Sequence, residues 1–205
     1  MWDVAEHALT EVLDKSGVAW EISLGEGAFY GPKIEFSLRD SLDRVWQTGT
    51  LQVDFFMPER LGAYYITRTG EKKSPILLHR AMLGSLERFI GILLEETGGN
   101  LPLWLTPIQA VVINITDAQR EYAERITAEL KKFNYRVHCD LRNEKIGFKI
   151  REYSVAKVPY IIVVGDKEML TNTIAVRRSN GEDLGQILVE KLATEIMMSD
   201  LANKI

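Results

Sequence analysis

The chain has 205 residues and a mass of 23.3 kDa, which exceeds one average domain and favours two small ones. With 46% hydrophobic and 26% charged residues, the composition is globular and excludes a disordered chain. The sequence contains no apolar run near the ~20 residues that cross a bilayer, and its acidic start is unlike a secretion signal, so we expect no membrane insertion. Cys139 is the only cysteine, which excludes an internal disulfide and favours the cytoplasm.

The net charge of the chain differs between its two halves, which meet near Pro107. Residues 1–105 hold ten Lys and Arg against fifteen Asp and Glu, a net charge of −5, whereas residues 106–205 have a net charge of +1. Within the second half, residues 136–178 carry nine basic and five acidic side chains. Such a local excess could contact phosphate groups, although solvated loops produce similar counts.

The first half combines helices with an alternating pattern. The predicted elements are a helix over 2–15, strands over 34–38, 45–55, 64–66 and 76–78, and a helix over 81–96. Gly17 lies where a left-handed cap would end the first helix. A polar turn at 69–73 separates the last two strands. These short connections favour an antiparallel sheet, because parallel strands need a crossover of about a dozen residues.

The second half alternates strands and helices. The predicted elements are a strand over 110–115, a helix from Thr116 to Phe133, a strand over 135–141, a helix over 146–157, a strand over 160–164, an edge strand over 173–178 and a closing helix over 183–198. This order predicts βαβ units and a mostly parallel sheet that is covered on both faces. The stretch from Gly98 to Pro107 is predicted to be a linker, which gives domains over residues 1–104 and 105–205.

A glycine-rich segment, Gly25–Phe36, precedes the first strand. Glycines let a ligand approach the backbone closely, and Tyr30 and Lys33 would then offer a hydroxyl and a cation to an anionic or carboxylate group. The alternative is a glycine-rich hairpin with a solvated lysine. The G-x-x-x-x-G-K-S/T pattern of a phosphate-binding loop is absent, so this is not that nucleotide site.

Gln47 and Gln52 lie in one predicted strand. Their separation places them on opposite faces of an ideal strand unless Gly49 introduces a bulge. Amides inside an apolar sheet need hydrogen-bond partners, which the hydroxyl or amino groups of a ligand could supply. Glutamines that face water at a sheet edge are the alternative.

His79 ends a predicted strand, where a rigid scaffold can present imidazole to a metal or a substrate. Zinc needs three or four ligands, and the other histidine of this half, His7, is predicted to lie on an exposed helix face; a structural histidine is therefore the alternative. Arg88 lies on the following helix, where it could bind phosphate or stack on a base. Its alternative is surface pairing with Glu87 or Glu95.

Three segments in this order and spacing carry a resemblance to a known family. They are residues 27–34 (GAFYGPKI), 46–55 (WQTGTLQVDF) and 79–89 (HRAMLGSLERF), followed by 140–151 (DLRNEKIGFKIR). Together they resemble the threonyl-tRNA synthetases across essentially the whole chain. The resemblance implies an α/β fold class: an α+β class II catalytic domain with an antiparallel sheet, then a three-layer α/β anticodon-binding domain with a mostly parallel sheet.

The resemblance also implies roles in threonine activation. In this family zinc is held by one cysteine and two histidines and contacts the amino and hydroxyl groups of threonine; His79 matches the last of these ligands. An isosteric methyl group cannot replace that hydroxyl contact, which discriminates against valine. Tyr30 and Gln52 match residues that line the amino-acid pocket. Lys33 matches the lysine that steadies the α-phosphate and the carboxylate.

Further matches concern the nucleotide and the tRNA. Gln47 matches a residue near the nucleotide, and Arg88 matches the motif 3 arginine that holds ATP, which brings magnesium with it. Asn143, Glu168 and Arg177 match residues that read anticodon bases, a role suited to splayed single-stranded RNA. The implied partners are threonine tRNA, ATP and L-threonine, and the implied assembly is a homodimer.

The sequence departs from the family's pattern upstream. It lacks the editing region, the first two class II motifs with the dimer-forming segment and the motif 2 arginine, and the first two zinc ligands. Cys139 lies too far along the chain to replace the missing thiolate. Because catalysis needs a complete set of cations around the phosphates, we expect a C-terminal fragment of a threonine-tRNA ligase that is inactive alone. The alternative is a freestanding tRNA-binding module or partial paralogue without aminoacylation activity.

Overall fold

The computed structural model describes residues 1–202, which form two compact units. The first unit is Met1–Glu96, and the second begins at Thr97. This division lies N-terminal to the boundary that the sequence predicts between residues 104 and 105. Part of the linker is fixed to the second unit, because the Arg136 guanidinium donates to the carbonyl oxygen of Thr106 at 2.8 and 3.0 Å.

The first unit is built from two longer helices, one short helix and five strands. They are α1 (Trp2–Ser16), β1 (Lys33–Arg39), β2 (Val45–Asp54), α2 (Met57–Arg60), β3 (Tyr65–Ile66), β4 (Lys72–Lys73), β5 (Leu77–Ala81) and α3 (Leu86–Thr97). Helix α1 ends at Ser16, one residue beyond the predicted helix, and Gly17 forms the predicted left-handed cap with a φ of +70°. Glycine adopts this left-handed conformation without strain.

Strands β1, β2 and β5 form an antiparallel sheet in the order β1-β2-β5, which confirms the antiparallel prediction for this half. The pairing of β1 with β2 shifts register between Phe36, which pairs with Gly49, and Ser37, which pairs with Gln47. Thr48 is therefore the extra residue of a β-bulge. The sequence requires a bulge near Gly49 for Gln47 and Gln52 to share a face of the strand, and this bulge is present.

The predicted pairing around the polar turn is wrong. Strand β3 pairs with β4 in a separate two-stranded hairpin, because Gly70, with a φ of +83°, closes the turn early. Residues 77–81 stay extended and pair with β2 instead. Helix α3 consequently begins at Leu86 rather than near Ala81.

The second unit, as far as residue 202, contains five strands and five α-helices. They are β6 (Ala110–Asn114), α4 (Arg120–Lys132), β7 (Val137–Asp140), α5 (Ile146–Val155), β8 (Tyr160–Val164), α6 (Asp166–Thr171), β9 (Ile174–Arg178), β10 (Asp183–Ile187), α7 (Val189–Lys191) and α8 (Met198–Ala202). A 3-10 turn, Asp117–Gln119, precedes α4, and a π-helical stretch, Leu192–Met197, joins α7 to α8.

The five strands form a mixed sheet in the order β10-β9-β8-β6-β7. Strand β6 runs parallel to β7 and β8, whereas β9 is antiparallel to both of its neighbours. The predicted edge position of residues 173–178 is wrong, because β10 covers that edge. The closing helix predicted over 183–198 is wrong for residues 183–187, which form β10, and confirmed from Val189 onward. Gly181, with a φ of +95°, turns the chain back into β10.

Helices cover both faces of this sheet. Helix α4 and the C-terminal helical segment pack on one face, where Ile126, Leu130 and Leu192 are buried against strand residues. Helix α5 packs on the other face through Tyr153, against Val111 and neighbouring strand residues. The second unit is therefore a three-layer α/β structure. Among residues 1–202, no helix combines the length and apolar character needed to cross a membrane.

Candidate functional site

A row of polar side chains crosses the three-stranded sheet. Lys33 of β1 pairs with Gln52 of β2, and Gln52 pairs with His79 of β5. Directly opposed residues in antiparallel strands project to the same face. Strand register therefore brings together three side chains that the sequence keeps far apart.

The loop before β1 brings Tyr30 to this row. The Val53 N–H donates to the Pro32 carbonyl oxygen at 3.1 Å, so the loop runs beside the end of β2. Gly31 permits this approach, because a Cβ at that position would lie 1.8 Å from the Val53 carbonyl oxygen. The Tyr30 hydroxyl donates to Gln52 Oε1 at 2.7 Å, which leaves the Gln52 amide NH₂ to donate to a ligand.

Asp54 holds the imidazole of His79. His79 Nε2 lies 2.8 Å from Asp54 Oδ2, and the fully buried Asp54 also accepts the N–H groups of Phe56 (2.9 Å) and Met57 (3.0 Å). Burial raises the pKa of Asp54, but the Met57 N–H, the imidazole and the Phe56 N–H outweigh it and lower the pKa below its ordinary value. The charged carboxylate favours the His79 tautomer protonated on Nε2, which leaves Nδ1 for a ligand.

Tyr30 and His79 line a cavity of about 210 Å³. Their rings are nearly perpendicular, at 74°, with centroids 6.1 Å apart. The other lining residues are Phe29, Asp54, Phe56, Met57 and Arg60. The cavity suits a small molecule with a polar head, because a few polar groups converge among apolar ones.

Lys33 lines a separate and wider groove, of about 990 Å³, between α1 and β1. Its Nζ lies 2.8 Å from Glu35 Oε2, and its side chain is 19% exposed. Lys33 is therefore partly buried and paired with Glu35. An anionic group that binds Lys33 must compete with Glu35 or bind beside it.

The bulge carries Gln47 to the face of this row. Gln47 pairs with Ser37. Ser37 lies on the same face of β1 as Glu35 and Lys33, because these residues are two positions apart along the strand. The turn before α3 lies against the same point, because a Cβ at Gly84 would lie 3.4 Å from the Gln47 carbonyl oxygen. Gln47 itself is exposed.

Arg88 lies in the first turn of α3. The two surface partners considered for it are engaged elsewhere: Glu95 pairs with Arg44 at 2.6 Å, and Glu87 accepts the Ser85 hydroxyl at 2.9 Å. Within residues 1–202 the Arg88 guanidinium has neither a salt bridge nor a hydrogen bond. Among the same residues, no such contact joins Arg88 to the row of Lys33, Gln52 and His79.

Two of the residues predicted to read bases, Glu168 and Arg177, lie on one face of the mixed sheet. Arg177 pairs with Ile161, which is buried beneath α5, so Arg177 projects to the α5 face. Gln186 lies on that face as well, because it pairs with Ala175, two residues before Arg177. The Gln186 amide donates to Glu168 Oε1, and Glu168 Oε2 accepts the Gly165 N–H at 3.0 Å.

Asn143 is exposed in the loop that leads into α5. The loop is anchored by Arg142, whose guanidinium donates to both carboxylate oxygens of Asp140 at 2.9 and 2.7 Å. The same guanidinium donates to Glu152 of α5 at 2.7 Å. The amide of Asn143 is therefore presented on a fixed loop beside the helix that packs on this face.

Metal ligation is the one predicted role that the described residues do not complete. Residues 1–202 contain no group of three or more His, Cys, Asp or Glu side chains that could hold a metal ion. His79 offers one nitrogen, and zinc needs three or four ligands. Cys139 packs against the core of the second unit, and burial raises the pKa of its thiol. The residues present therefore do not form a zinc site by themselves.

Sequence reasoning missed three residues of these sites: Asp54, Glu35 and Gln186. A signal existed for the first two, since Asp54 follows Gln52 by two positions and Glu35 follows Lys33 by two, which places each pair on one strand face. Gln186 had no such signal, because its segment has a helical pattern in the sequence.

Two family models match the chain, one in each of its two compact units. Residues 1–97 match the family described as the tRNA synthetase class II core domain (G, H, P, S and T). Residues 109–197 match the family described as the anticodon binding domain. These matches identify a class II aminoacyl-tRNA synthetase core domain followed by an anticodon-binding domain.

Similar proteins indicate which member of this class the chain resembles. The chain is 62% identical over 190 residues to threonine-tRNA ligase from Alkalilimnicola ehrlichii, covering 93% of this chain and 30% of that protein. It is 56% identical to threonine-tRNA ligase from Marinobacter nauticus, covering 100% and 32%. A crystal structure of the RNA binding domain of threonyl-tRNA synthetase from Cryptosporidium parvum superimposes with a TM-score of 0.85 at 37% identity, covering 97% of this chain and 50% of that one.

The chain belongs to the threonyl-tRNA synthetase family and corresponds to the C-terminal part of its members. It spans about a third of the length of the curated relatives it matches.

Proposed function

We propose that the chain supplies the end of the catalytic domain and the anticodon-binding domain of a threonine-tRNA ligase, which activates L-threonine with ATP and transfers it to threonine tRNA. The observation that carries the proposal is the row of Lys33, Gln52 and His79, brought into register across three strands. Similarity to threonine-tRNA ligases over nearly the whole chain supports it.

The cavity would hold the amino acid. Tyr30 and Gln52 form one hydrogen-bonded unit whose remaining donors face the cavity side of the sheet, where an amino acid's polar groups can be satisfied. His79, fixed by Asp54, presents Nδ1 at the same place. Site residues that are already fixed by hydrogen bonds to their neighbours lose little conformational entropy when a ligand binds. Such a fixed site favours discrimination between amino acids with similar side chains.

The nucleotide would lie along the neighbouring part of the sheet. Lys33 offers a cation for the α-phosphate and carboxylate, and Gln47 is exposed on the same face. Arg88 in α3, which has no carboxylate partner within residues 1–202, would bind the phosphate oxygens of ATP, and magnesium would accompany the nucleotide as its counter-ion. Fixed positive charges that face developing negative charge are the main catalytic resource in such reactions. Lys33 must exchange its contact with Glu35 for one with the substrate.

Zinc at His79 is proposed only together with ligands that residues 1–202 do not supply. The chemistry that zinc would add there is recognition of the threonine amino and hydroxyl groups. His79 contributes a nitrogen whose tautomer the Asp54 carboxylate sets. We further propose a cytoplasmic setting, in which the free thiol of Cys139 stays reduced, and a homodimer for the whole protein.

The second unit would read the anticodon. Arg177 projects to the α5 face of the mixed sheet, the buried Glu168 is hydrogen-bonded to Gln186 on that face, and Asn143 is exposed in the loop that leads into α5. They would supply a guanidinium, a carboxylate and an amide for contacts with base edges. Unpaired anticodon bases expose the hydrogen-bonding edges that such groups recognise. The Glu168 carboxylate already accepts from Gln186 and Gly165, so its orientation is set before RNA binds.

The test measures binding of the 205-residue chain to a threonine tRNA transcript and to the same transcript with an altered anticodon, by fluorescence anisotropy. We expect tighter binding of the unaltered tRNA, and a loss of about tenfold in that preference for Asn143→Ala, because base contacts of this kind are worth about 1–3 kcal/mol. The control, Arg151→Ala on the exposed side of α5, should weaken both tRNAs equally. Equal affinity of the unsubstituted chain for both transcripts would contradict anticodon reading and favour a binding module of another kind.

A further inference from the structure

The hairpin of β3 and β4 is an exposed feature that the proposed sites leave unused. Tyr65 pairs with Lys73 across its two strands. The turn between them is closed by two hydrogen bonds: the Thr67 N–H donates to the Glu71 carbonyl oxygen at 2.9 Å, and the Glu71 N–H donates to Thr67 Oγ1 at 3.1 Å. The hairpin therefore presents a defined surface rather than an irregular loop.

Each face of this hairpin carries one aromatic ring and one ammonium group. Tyr64 and Tyr65 are adjacent in sequence and so project to opposite faces, and they are 56% and 50% exposed. Lys72 Nζ lies 4.2 Å from the centroid of the Tyr64 ring. Lys73 lies beside Tyr65 through strand pairing. Half-exposed tyrosine rings next to lysines form a surface on which a base can stack while its phosphate meets a cation.

The charge of the hairpin opposes that of its surroundings. Residues 1–105 have a net charge of −5, but residues 61–76 hold Arg68, Lys72 and Lys73 against the single carboxylate of Glu71. Within residues 1–202, none of these three cations has a carboxylate within 4.0 Å. Uncompensated cations in an acidic unit favour a polyanionic partner over an apolar one.

The hairpin is also joined to the amino-acid cavity at both ends. Helix α2, which contributes Met57 and Arg60 to the cavity lining, lies just before it, and β5, which carries His79, lies just after it. A strand of RNA held by the hairpin would thus lie on the segment that connects two walls of the cavity.

We propose that the β3–β4 hairpin binds the unpaired 3′ end of an RNA substrate, with Tyr64 and Tyr65 stacking on bases and Lys72 and Lys73 contacting phosphates. The choice of unpaired RNA follows from the exposed rings, because bases within a duplex already stack on each other. The inference rests on the proposed function, in which the 3′ end of tRNA must reach the activated amino acid.

The experiment compares three RNA probes with the full 205-residue chain by fluorescence anisotropy: threonine tRNA, the same tRNA without its unpaired 3′ nucleotides, and a short oligoadenylate. The chain with Tyr64→Ala and Tyr65→Ala should bind intact tRNA and oligoadenylate about tenfold more weakly and the shortened tRNA unchanged. The matched control, Tyr64→Phe with Tyr65→Phe, keeps both rings and should bind like the unsubstituted chain. With Lys72→Gln and Lys73→Gln, the log–log salt slope for oligoadenylate should fall by about 1.4.

Two results would overturn the proposal. One is unchanged affinity of the alanine variant for intact tRNA and oligoadenylate, with a circular dichroism spectrum that shows the fold intact. The other is an equal loss for intact and shortened tRNA, which would place the contact away from the 3′ end. If the unsubstituted chain binds oligoadenylate through the hairpin but no tRNA at all, the hairpin proposal stands and the proposed function fails.

Discussion

Two buried charges hold the strand ends from which the Asn143 loop departs. Asp140 and Lys149 are 2% and 1% exposed. Lys149 Nζ donates to Asn114 Oδ1 at 3.0 Å and to the Asp140 carbonyl oxygen at 3.2 Å, which ties β6 to β7. The Arg142 guanidinium holds the pKa of Asp140 at about 2 against the opposing effect of burial. Residues within the sheet therefore position a loop residue that is proposed to read RNA.

The substitution Asp140→Asn should expose this linkage. A carboxylate whose pKa is lowered to about 2 in the folded chain stabilises the fold above its unfolded pKa, and that contribution is lost as the pH falls through the folded value. We expect the variant to lose about 2 kcal/mol of unfolding free energy at pH 7, and the difference to fall by about half at pH 3. Urea unfolding of the full chain at both pH values, followed by circular dichroism, measures it.

The control for this measurement is Glu124→Gln, since Glu124 is exposed on α4 and, within residues 1–202, has no salt bridge. It should change stability little at either pH. A difference between Asp140→Asn and the unsubstituted chain that stays constant from pH 7 to pH 3 would show that the carboxylate's charge is not what stabilises the fold.

Strand alternation makes part of the candidate site predictable residue by residue. From sequence spacing alone, it places Lys33 with Glu35, and Gln52 with Asp54, on shared strand faces. It cannot show that Gln52 lies opposite both Lys33 and His79, because register depends on the loops that join the strands. The role of Asp54 is also hidden in the sequence, since it depends on the backbone N–H groups of Phe56 and Met57, which only the fold brings to its carboxylate.

At the scale of elements, the loop before β1 and the bulge in β2 shape the first site. The bulge at Thr48 returns Gln47 to the face of Gln52, and the loop at Gly31 presses Tyr30 against the end of β2. Both devices are local departures from regular structure. They supply the curvature and close approach that a flat antiparallel sheet cannot.

Gly31→Ala should therefore damage both stability and the site. The added Cβ would lie 1.8 Å from the Val53 carbonyl oxygen, and that backbone cannot move without disturbing β2. We expect a loss of about 1–3 kcal/mol, by analogy with overpacked cores, and separation of the Tyr30 hydroxyl from Gln52. Thermal unfolding, together with the solvent exchange of the Tyr30 hydroxyl proton by NMR, measures both effects.

Gly91→Ala is the matched control, because a Cβ at Gly91 in α3 meets nothing within 4 Å. Alanine there should stabilise the helix by up to about 1 kcal/mol. If Gly31→Ala were as stable as Gly91→Ala, the close approach between the loop and β2 would not exist in solution.

Helices and strands are predictable where the spacing of apolar residues fits a single type of secondary structure. They are not predictable where that spacing changes from the strand pattern to the helix pattern. The sequence predicts a strand over residues 160–164, and these residues form β8 with those bounds. It predicts a helix over residues 183–187 because their apolar residues continue the helical spacing of the C-terminal helical segment, residues 189–202. The turn at Gly181 is the available signal for a hairpin there. Tertiary pairing with β9 decides the outcome over the local pattern.

On the scale of the whole molecule, the apolar core is distributed unequally. Within residues 1–202, the buried hydrophobic residues of the first unit are Ala5, Ile34 and Val53, whereas the second unit buries two clusters on either face of its sheet. The first unit also leaves large side chains uncovered, since Phe36 is 48% exposed and Leu78 is 63% exposed. Each unit must stabilise itself through what it buries, so the two should differ in stability.

Separate expression of the two units tests this difference. Residues 97–205 should unfold in one cooperative transition with an enthalpy of about 60–80 kcal/mol, as a domain of ~100 residues with a continuous core does. Residues 1–96 should be poorly soluble and show no sharp transition, because β1 and β5 are the outer strands of a sheet whose apolar side chains lack cover. Differential scanning calorimetry and sedimentation at matched concentration provide the measurements. A sharp transition from residues 1–96 and none from residues 97–205 would reverse the assignment of stability, and with it the view that the mixed sheet is the independently folding part of the chain.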